Sequence, residues 1–430
     1  MFTDWIHWLS RHHPEQLLAL LWALLLADGP RYALSRLVMV AWDMVRDTWL
    51  WLRGGSEQPE TFSYCPSVSV VIAGYNEADN IEATLTSLWR SYPRLEVIVV
   101  DDGSEDGMAD VARRFARSHP GIMVLSRRRR GGKPSALNFG LNYATGEVIV
   151  FVDADSHLGE QAIWRIVQPL KDPQVGAVSA TVLARNTFTN LVTWFQAYEY
   201  LNTIYVGRQL LARLGILSIV SGAFGAYRRD VLRRTCGADV ELAEDFDLAL
   251  KARKAGYEIA FAPLAQCFTN VPDTWRALMR QRLRWEESSI LRLVCRKHID
   301  MANFRSPNFR WRNFMVLLEL WTFNIFCVIG IWAYVVWFTF AVPVAVWDMM
   351  VVTLYFGYVG FELVQALSVL FYSRDLRRDL WICAIFPLAP LYQLLLFLVR
   401  SRALIEETFL RKSYEMNYIP VHVRETTWRW

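Results

Sequence analysis

The residues of this 430-residue chain with types and spacing suited to joint chemistry are acids placed where apolar runs stop. In Val148 to Leu158, VIVFVDADSHL, the run ends at Asp153, Ala154 and Asp155. Strand side chains alternate with a period of two, so both aspartates project to one side at the strand's end. Two carboxylates placed in this way repel each other unless a cation lies between them, and hard oxygen ligands suit Mg²⁺ or Mn²⁺. Such a cation neutralises a departing phosphate, which points to a diphosphate-bearing substrate. An acidic, solvated turn is the plain alternative, and the rest of the chain has to weigh against it.

Two other apolar runs end in similar residues. Val68 to Ala73 leads into Tyr75, Asn76 and Glu77, and Leu95 to Val100 leads into Asp101, Asp102 and Gly103. Lys133 follows Gly131 and Gly132 and precedes Pro134, a good first-turn residue, so its ammonium is placed near a helix N-terminus suited to phosphate. The run Arg127 to Arg130 just before it reads first as a solvated charge cluster and second as a substrate contact. No Gly-x-Gly-x-x-Gly follows the first strand and no Gly-Lys-Ser/Thr loop is present, which removes the main support for a dinucleotide fold or a P-loop.

The elements that must position these groups alternate. Strands are expected at Val68 to Ala73, Leu95 to Val100, Ile122 to Leu125 and Val148 to Val152. Between them Ile81, Leu85 and Leu88 recur at helical spacing, with Asp79 as candidate cap and Glu82 three residues on. Met108, Val111 and Phe115 repeat the pattern after Ser104 as a candidate cap. Strands apolar on both faces, alternating with helices, predict a parallel sheet covered on both sides. Ligands of such sheets bind at the carboxyl ends of the strands, where the acids gather.

Composition places part of the chain in a membrane: 53% of residues are hydrophobic and 14% aromatic. A net charge of +4 gives no support to a nucleic-acid binder. The six cysteines are widely spaced, without zinc-type pairs, and read as reduced thiols. Near the N-terminus Gln16 to Ala27 and Tyr32 to Leu52 predict one or two crossings or an interfacial helix. Asp28, Gly29 and Pro30 stand where a cleavage site would, so no cleavable signal is expected. Phe314 to Val346, Met349 to Tyr372 and Leu380 to Val399 are each long enough to cross, the last bent by Pro387 and Pro390. Arg374, Arg377 and Arg378 fit a cytoplasmic loop. Three crossings then place the basic tail Arg400 to Arg429 outside, so either the proline-broken segment is re-entrant or the charge rule is broken.

Three further motifs complete an order: SGAFGA at Ser221 to Ala226, AED at Ala243 to Asp245, and QRLRW at Gln281 to Trp285. From Val68 to Arg312 the chain resembles the inverting family 2 glycosyltransferases, specifically membrane-embedded polysaccharide synthases such as those for cellulose, hyaluronan, chitin oligosaccharides and poly-N-acetylglucosamine. The resemblance implies a GT-A α/β domain, with a mostly parallel sheet, flanked by transmembrane helices. It implies that Tyr75, Glu77 and Asp102 hold uridine, that Lys133, Gln281 and Arg284 serve the nucleotide-sugar, and that Asp153 and Asp155 face nucleotide and Mg²⁺ or Mn²⁺. Asp245 would be the catalytic base with Glu244 supporting it, and Gly222, Ala223, Phe224 and Trp285 would meet the acceptor. Gln281, Arg284 and Trp285 share one helix face by spacing. Ala243 stands where cellulose-type synthases commonly have Thr, the segment around Gly222 lacks a cysteine some relatives carry, and Thr426 to Arg429 only faintly echo a gating loop.

The expected organisation is N-terminal membrane or interfacial helices over 1–55, a cytosolic catalytic domain over 56–272, interfacial helices over 273–312, transmembrane helices over 313–400 and a basic tail over 401–430. The expected activity is processive transfer from a UDP-sugar to a growing polysaccharide, coupled to export, in the inner or plasma membrane. The expected partners are the donor, a carbohydrate or lipid-linked acceptor, membrane lipids and accessory export proteins. A non-processive lipid glycosyltransferase of ceramide-glucosyltransferase type is the first rival. A transporter or receptor with an inactive nucleotide-binding domain is the second, and the retained acids speak against it.

Overall fold

The computed structural model describes residues 28–53, 62–239, 243–306, 309–341, 344, 347–412 and 420. The expected run Gln16 to Ala27 and the echo at Thr426 to Arg429 lie outside these. The chain divides into two compact units, Met1–Glu57 with Leu318–Leu404 and Gln58–Leu317 with Ile405–Trp430.

The second unit is built on an eight-stranded sheet of order β3-β2-β1-β4-β7-β6-β8-β5. Its first half alternates strand and helix: β1 (Val68–Gly74), α1 (Ala78–Leu88), β2 (Leu95–Asp101), α2 (Met108–Ser118), β3 (Ile122–Ser126), α3 (Lys133–Leu141) and β4 (Val148–Asp153). These four strands pair in parallel, with Val68 opposite both Leu95 and Val148. Alternation then sorts the core in two. Val70, Ile72, Val99 and Val150 pack with Ile81, Leu85 and Leu88 of α1, while Val71, Ile98 and Ile149 pack with Leu137 of α3 on the other face. Burial on both faces is why these strands read as continuous apolar runs.

Beyond β4 the sheet is mixed. After β5 (His157–Leu158) and β6 (Val175–Ala184) come α4 (Leu191–Tyr200), a π-helical stretch Leu201–Gly207 and α5 (Arg208–Arg213). Then follow β7 (Phe224–Arg228), α6 (Glu244–Lys254), β8 (Glu258–Thr269) and α7 (Trp275–Ser288). β7 is antiparallel to both β4 and β6, while β6 and β8 are parallel. The helix caps also differ from expectation. Asp79 stands in the first turn of α1, and the Ser104 hydroxyl accepts from the Asn76 N–H at 3.0 Å. The capping work falls to Asp106, whose two oxygens accept from Ala78 N at 2.8 Å and Met108 N at 3.0 Å. One carboxylate thereby starts two helices and ties the loop after β1 to the loop after β2.

In the first unit the helix Asp28–Leu52 buries Arg36 and Asp43 and exposes a row of apolar residues. Arg36 donates to Gln365 at 3.2 Å and Asp43 accepts from the Tyr372 hydroxyl at 2.7 Å, while Leu37, Trp42, Val45 and Trp49 face outward. Two buried charges beneath an apolar outer face suit lipid over that stretch. Three helices are long and apolar enough to cross a membrane: Trp311–Ala341, Trp347–Tyr372 and Leu376–Leu410. The prolines of the last one leave it helical through a 3₁₀ turn at Phe386–Leu388, where the Tyr355 hydroxyl takes up the Pro387 carbonyl at 2.6 Å.

Candidate active site

β4 delivers Asp153 to the carboxyl edge of the sheet, and the chain turns at once through Asp155 into β5. Lys133 opens α3 with Pro134 in the first turn, as its glycines and proline predict. Its ammonium lies 2.5 Å from Asp153 Oδ1 and 3.4 Å from Glu244 Oε1, and it donates to the Gly222 carbonyl at 3.4 Å. Burial pulls that ammonium down, but the carboxylates of Asp153 and Glu244 outweigh it and hold the amine well above its usual range. Burial raises the Glu244 carboxyl, with Lys133 opposing and Asp245 adding to the rise.

Gly222 joins this cluster to Asp245. Its carbonyl receives Lys133, and its N–H donates to Asp245 Oδ2 at 3.0 Å. A Cβ at this position would stand 3.1 Å from Asp245 Oδ2 and 3.2 Å from Lys133 Nζ, so only glycine leaves both groups where they are. The other oxygen, Asp245 Oδ1, accepts from Phe246 N at 2.8 Å in the first turn of α6. Ala243 takes a left-handed φ of 58° and gives α6 no side-chain cap. Asp245 supplies that first-turn contact itself.

The Asp155 carboxyl is pushed up to about 6 by burial, with the negative charges of Asp153 and Glu77 adding and Lys133 opposing. Thr269, at the end of β8, places its hydroxyl 3.4 Å from Asp155 Oδ2. Converging like charges on hard oxygens fit a divalent cation, which would relieve the repulsion. Among the described residues no third His, Cys, Asp or Glu completes a protein-only cage. Waters and substrate phosphates complete the shell in sites of this kind.

Two of the expected site residues, Asp102 and Phe224, are placed in ways that the sequence did not disclose. Asp102, expected against uridine, is 3% exposed. Its oxygens accept from Gly131 N at 3.0 Å, Gly132 N at 2.7 Å and Arg127 at 2.9 Å. Its carboxylate shapes the loop that leads to Lys133. In the arginine run, Arg127 thus has a structural partner, Arg130 lies 4.0 Å over the Tyr75 ring, and Arg128 and Arg129 are exposed. Phe224, expected on the acceptor side, is fully buried in the core, so only Gly222 and Ala223 of that segment front the cluster. The Ala223 carbonyl accepts from Asp153 N at 3.2 Å and pins β7 to the end of β4.

In α7, Gln281 keeps a buried side-chain oxygen with no hydrogen-bond donor among the described residues. Trp285 is 40% exposed, with the Arg282 guanidinium 4.5 Å over its ring. Arg282 also forks onto Glu199 of α4, both bonds 2.8 Å, which fixes the face of α7 that carries the motif. Sequence reading passed over Arg282, one residue off that face, and Glu199, which carries no local signal. Arg208, on α5, donates to Ser179 at 2.8 Å and to Ser221, and was likewise missed.

The glycosyltransferase like family 2 model matches residues 66–288. A poly-beta-1,6-N-acetyl-D-glucosamine synthase of Staphylococcus aureus (strain MSSA476) is 28% identical over 266 residues, 61% of this chain and 64% of that protein. The synthase of the same name from Staphylococcus epidermidis is 30% identical over 223 residues, 51% of this chain and 54% of its own. The chain therefore spans less than two thirds of the length of these relatives. Among solved structures, mannosyltransferase PcManGT from Pyrobaculum calidifontis, in complex with GDP-Man and Mn²⁺, aligns with a TM-score of 0.57 at 25% identity, covering 85% of this chain and 97% of that one. The expected GT-A-like fold is thereby established, with a mixed, curled sheet. The family match takes in more than half of the chain, including every acid of the Lys133 cluster, and the chain belongs to glycosyltransferase family 2.

Proposed function

We propose that this chain transfers a sugar, with inversion, from a UDP-sugar to a growing polysaccharide, and does so processively with export through its own membrane helices. The observation that carries the reading is the single ammonium of Lys133, which links the donor-side Asp153 to Glu244 and, through Gly222, to Asp245. The donor diphosphate lies against Lys133 at the N-terminus of α3, and Arg284 meets it with a planar fork. A divalent cation held by Asp153 and Asp155 would offset charge on the departing diphosphate. Tyr75 and Glu77 flank the nucleoside. Trp285 offers its indole to an acceptor ring.

Asp245 accepts the proton of the acceptor hydroxyl as that oxygen bonds to the anomeric carbon. The bond from that carbon to the diphosphate oxygen breaks in the same displacement, which inverts the centre and releases UDP. Gly222 N–H holds the base carboxylate in place for this step. The synthases named above favour N-acetylglucosamine as the sugar, and the three apolar helices supply the route for a product. The test is the purified chain in detergent with a panel of labelled UDP-sugars, scored for UDP release and product length. Long chains from UDP-N-acetylglucosamine support the reading. A single sugar on lipid overturns processivity, and no release from any nucleotide sugar overturns the activity.

A further inference from the structure

Arg208 stands at the start of α5, directly after the π-helical stretch Leu201–Gly207, a distortion frequent at functional sites. One of its nitrogens, Nη1, donates both to the Ser179 hydroxyl of β6 at 2.8 Å and to the Ser221 hydroxyl. The Ser221 N–H in turn donates to Ser179 Oγ at 3.3 Å. The guanidinium therefore locks a corner of backbone to the sheet at the residue before Gly222. No carboxylate among the described residues pairs with it at ion-pair distance. Its charge faces the Asp245 carboxylate and the Tyr200 hydroxyl instead, and burial pulls it down to about 10 against the attraction of Asp245.

We propose that Arg208 is a positioning residue for the transfer, which holds the Ser221–Gly222 corner so that one glycine presents its N–H to Asp245 and its carbonyl to Lys133. The geometry gives the reason for an arginine in a partly buried place without an acid partner. A polar group left there unpaired is costly, and two hydroxyls satisfy one nitrogen while the charge stays directed at the site. Gly222 has no side chain to brace itself, and its N–H and carbonyl serve different partners. Its placement depends on its neighbour Ser221, and through Ser221 on Arg208. A shift of this corner by a fraction of an ångström withdraws the N–H from the base and the carbonyl from Lys133 together.

The proposal rests on Asp245 as the base, so Asp245→Asn is measured alongside it. The full chain in detergent is assayed for kcat, donor KM, UDP affinity and melting temperature as Arg208→Gln, Arg208→Lys, Ser221→Ala and the Arg208→Gln/Ser221→Ala double variant. Misplacement near the chemistry costs on the order of 10²-fold, so Arg208→Gln is expected to lower kcat about 100-fold with donor KM and UDP affinity near wild type. Arg208→Lys, whose ammonium carries three donors, recovers part of the loss. Ser221→Ala loses roughly 10-fold, and the double variant is no worse than Arg208→Gln, because both act through one corner. Multiplying losses, a loss confined to KM, or full turnover in Arg208→Gln overturns the proposal. If Arg208→Gln does not fold, Ser221→Ala decides alone, and wild-type kcat in it overturns the proposal. If Asp245→Asn itself keeps turnover, the failure lies with the assignment of the base.

Discussion

Helix α6 carries two acidic settings that differ in how charge is balanced. At its first turn Glu244 shares the Lys133 ammonium with Asp153, while Asp245 meets that ammonium through Gly222 and draws on the Arg208 charge, so acids outnumber cations, and burial raises Glu244. Two residues farther on, Asp247 is fully buried but richly served. His298 Nε2 lies 2.8 Å and Lys297 Nζ 2.9 Å from its Oδ1, and Lys251 Nζ lies 3.5 Å from Oδ2. Both lysines also reach Asp239. Burial pushes the Asp247 carboxyl up, but the His298 hydrogen bond and the charges of Lys297 and Lys251 overcome it and hold the group down to about 2. A surplus of acid marks a place that waits for a cation or a proton, and a balanced cluster marks one that holds the fold together. One helix thus anchors its far face so that its first turn can stay electrostatically unfinished.

The sharpest break between the two settings is chemical. Asp245→Asn keeps the shape and both N–H contacts' acceptor geometry in part, but removes the proton acceptor. Turnover is expected to fall by about 10² to 10⁴ with UDP affinity and melting temperature close to wild type. Unchanged turnover places the base elsewhere on the sheet's carboxyl edge.

Asp247→Asn reverses the pattern. It leaves Lys251 and Lys297 with Asp239 as their remaining acid and takes the charge from the His298 contact, and breaking a buried pair costs on the order of 3 kcal/mol. The folded fraction is expected to keep its specific turnover while the melting temperature drops by several degrees. The pH dependence follows from the lowered carboxyl: its stabilisation is fully present above the ordinary carboxylate value and is lost as pH falls through about 2. Denaturant titrations of the two proteins should therefore differ most near neutral pH and converge between about pH 4 and 2. A variant that stays stable but loses turnover would move Asp247 into the catalytic set.

The first setting was legible in the sequence and the second was not, for a physical reason. Asp153, Asp155 and Lys133 sit at the ends of runs whose periodicity gives strands and a helix start, so direction and edge follow from local pattern. Asp247 meets His298 across 51 residues, and Arg282 meets Glu199 across 83, with no local signal at either partner. Asp102 reads as another edge acid, yet its role is decided by the Gly131 and Gly132 amides folding back onto it. Phe224 follows a glycine motif and is carried into the core because β7 inserts between β4 and β6, a crossover that alternating strands and helices do not announce.

The acid surplus extends to Asp155, where the comparison is tested by supplying the missing charge. Wild-type chain is expected to melt higher with Mn²⁺ or Mg²⁺ than in chelator, and to release UDP only with the cation. Asp155→Asn removes one of the two hard oxygen ligands proposed for the cation and one repulsive neighbour of Asp153 and Glu77. Its cation-dependent rise in melting temperature should shrink, while in chelator it melts no lower than wild type. Full turnover in excess chelator, or an unchanged cation titration in the variant, counts against the pair as a metal site.

The smallest effect is expected at Glu244, and it separates the two settings most finely because the residue belongs by sequence to the motif and by burial to the helix. Glu244 is one of two acids within 4 Å of Lys133, and burial raises its carboxyl above the usual range. A raised acid stabilises the fold below its unfolded value and loses that contribution as pH rises, so at neutral pH its charge is a cost and not a support. Glu244→Gln removes the charge and keeps the length, which leaves Lys133 leaning on Asp153. Loss of one charge-assisted contact of about 1 kcal/mol to the ammonium corresponds to roughly a 3- to 10-fold fall in turnover, far smaller than at Asp245. Melting temperature at neutral pH should hold or rise slightly, opposite in sign to Asp247→Asn. A drop of several degrees with normal turnover would assign Glu244 to the anchoring face, and a loss as deep as that of Asp245→Asn would make it a proton-transfer group in its own right.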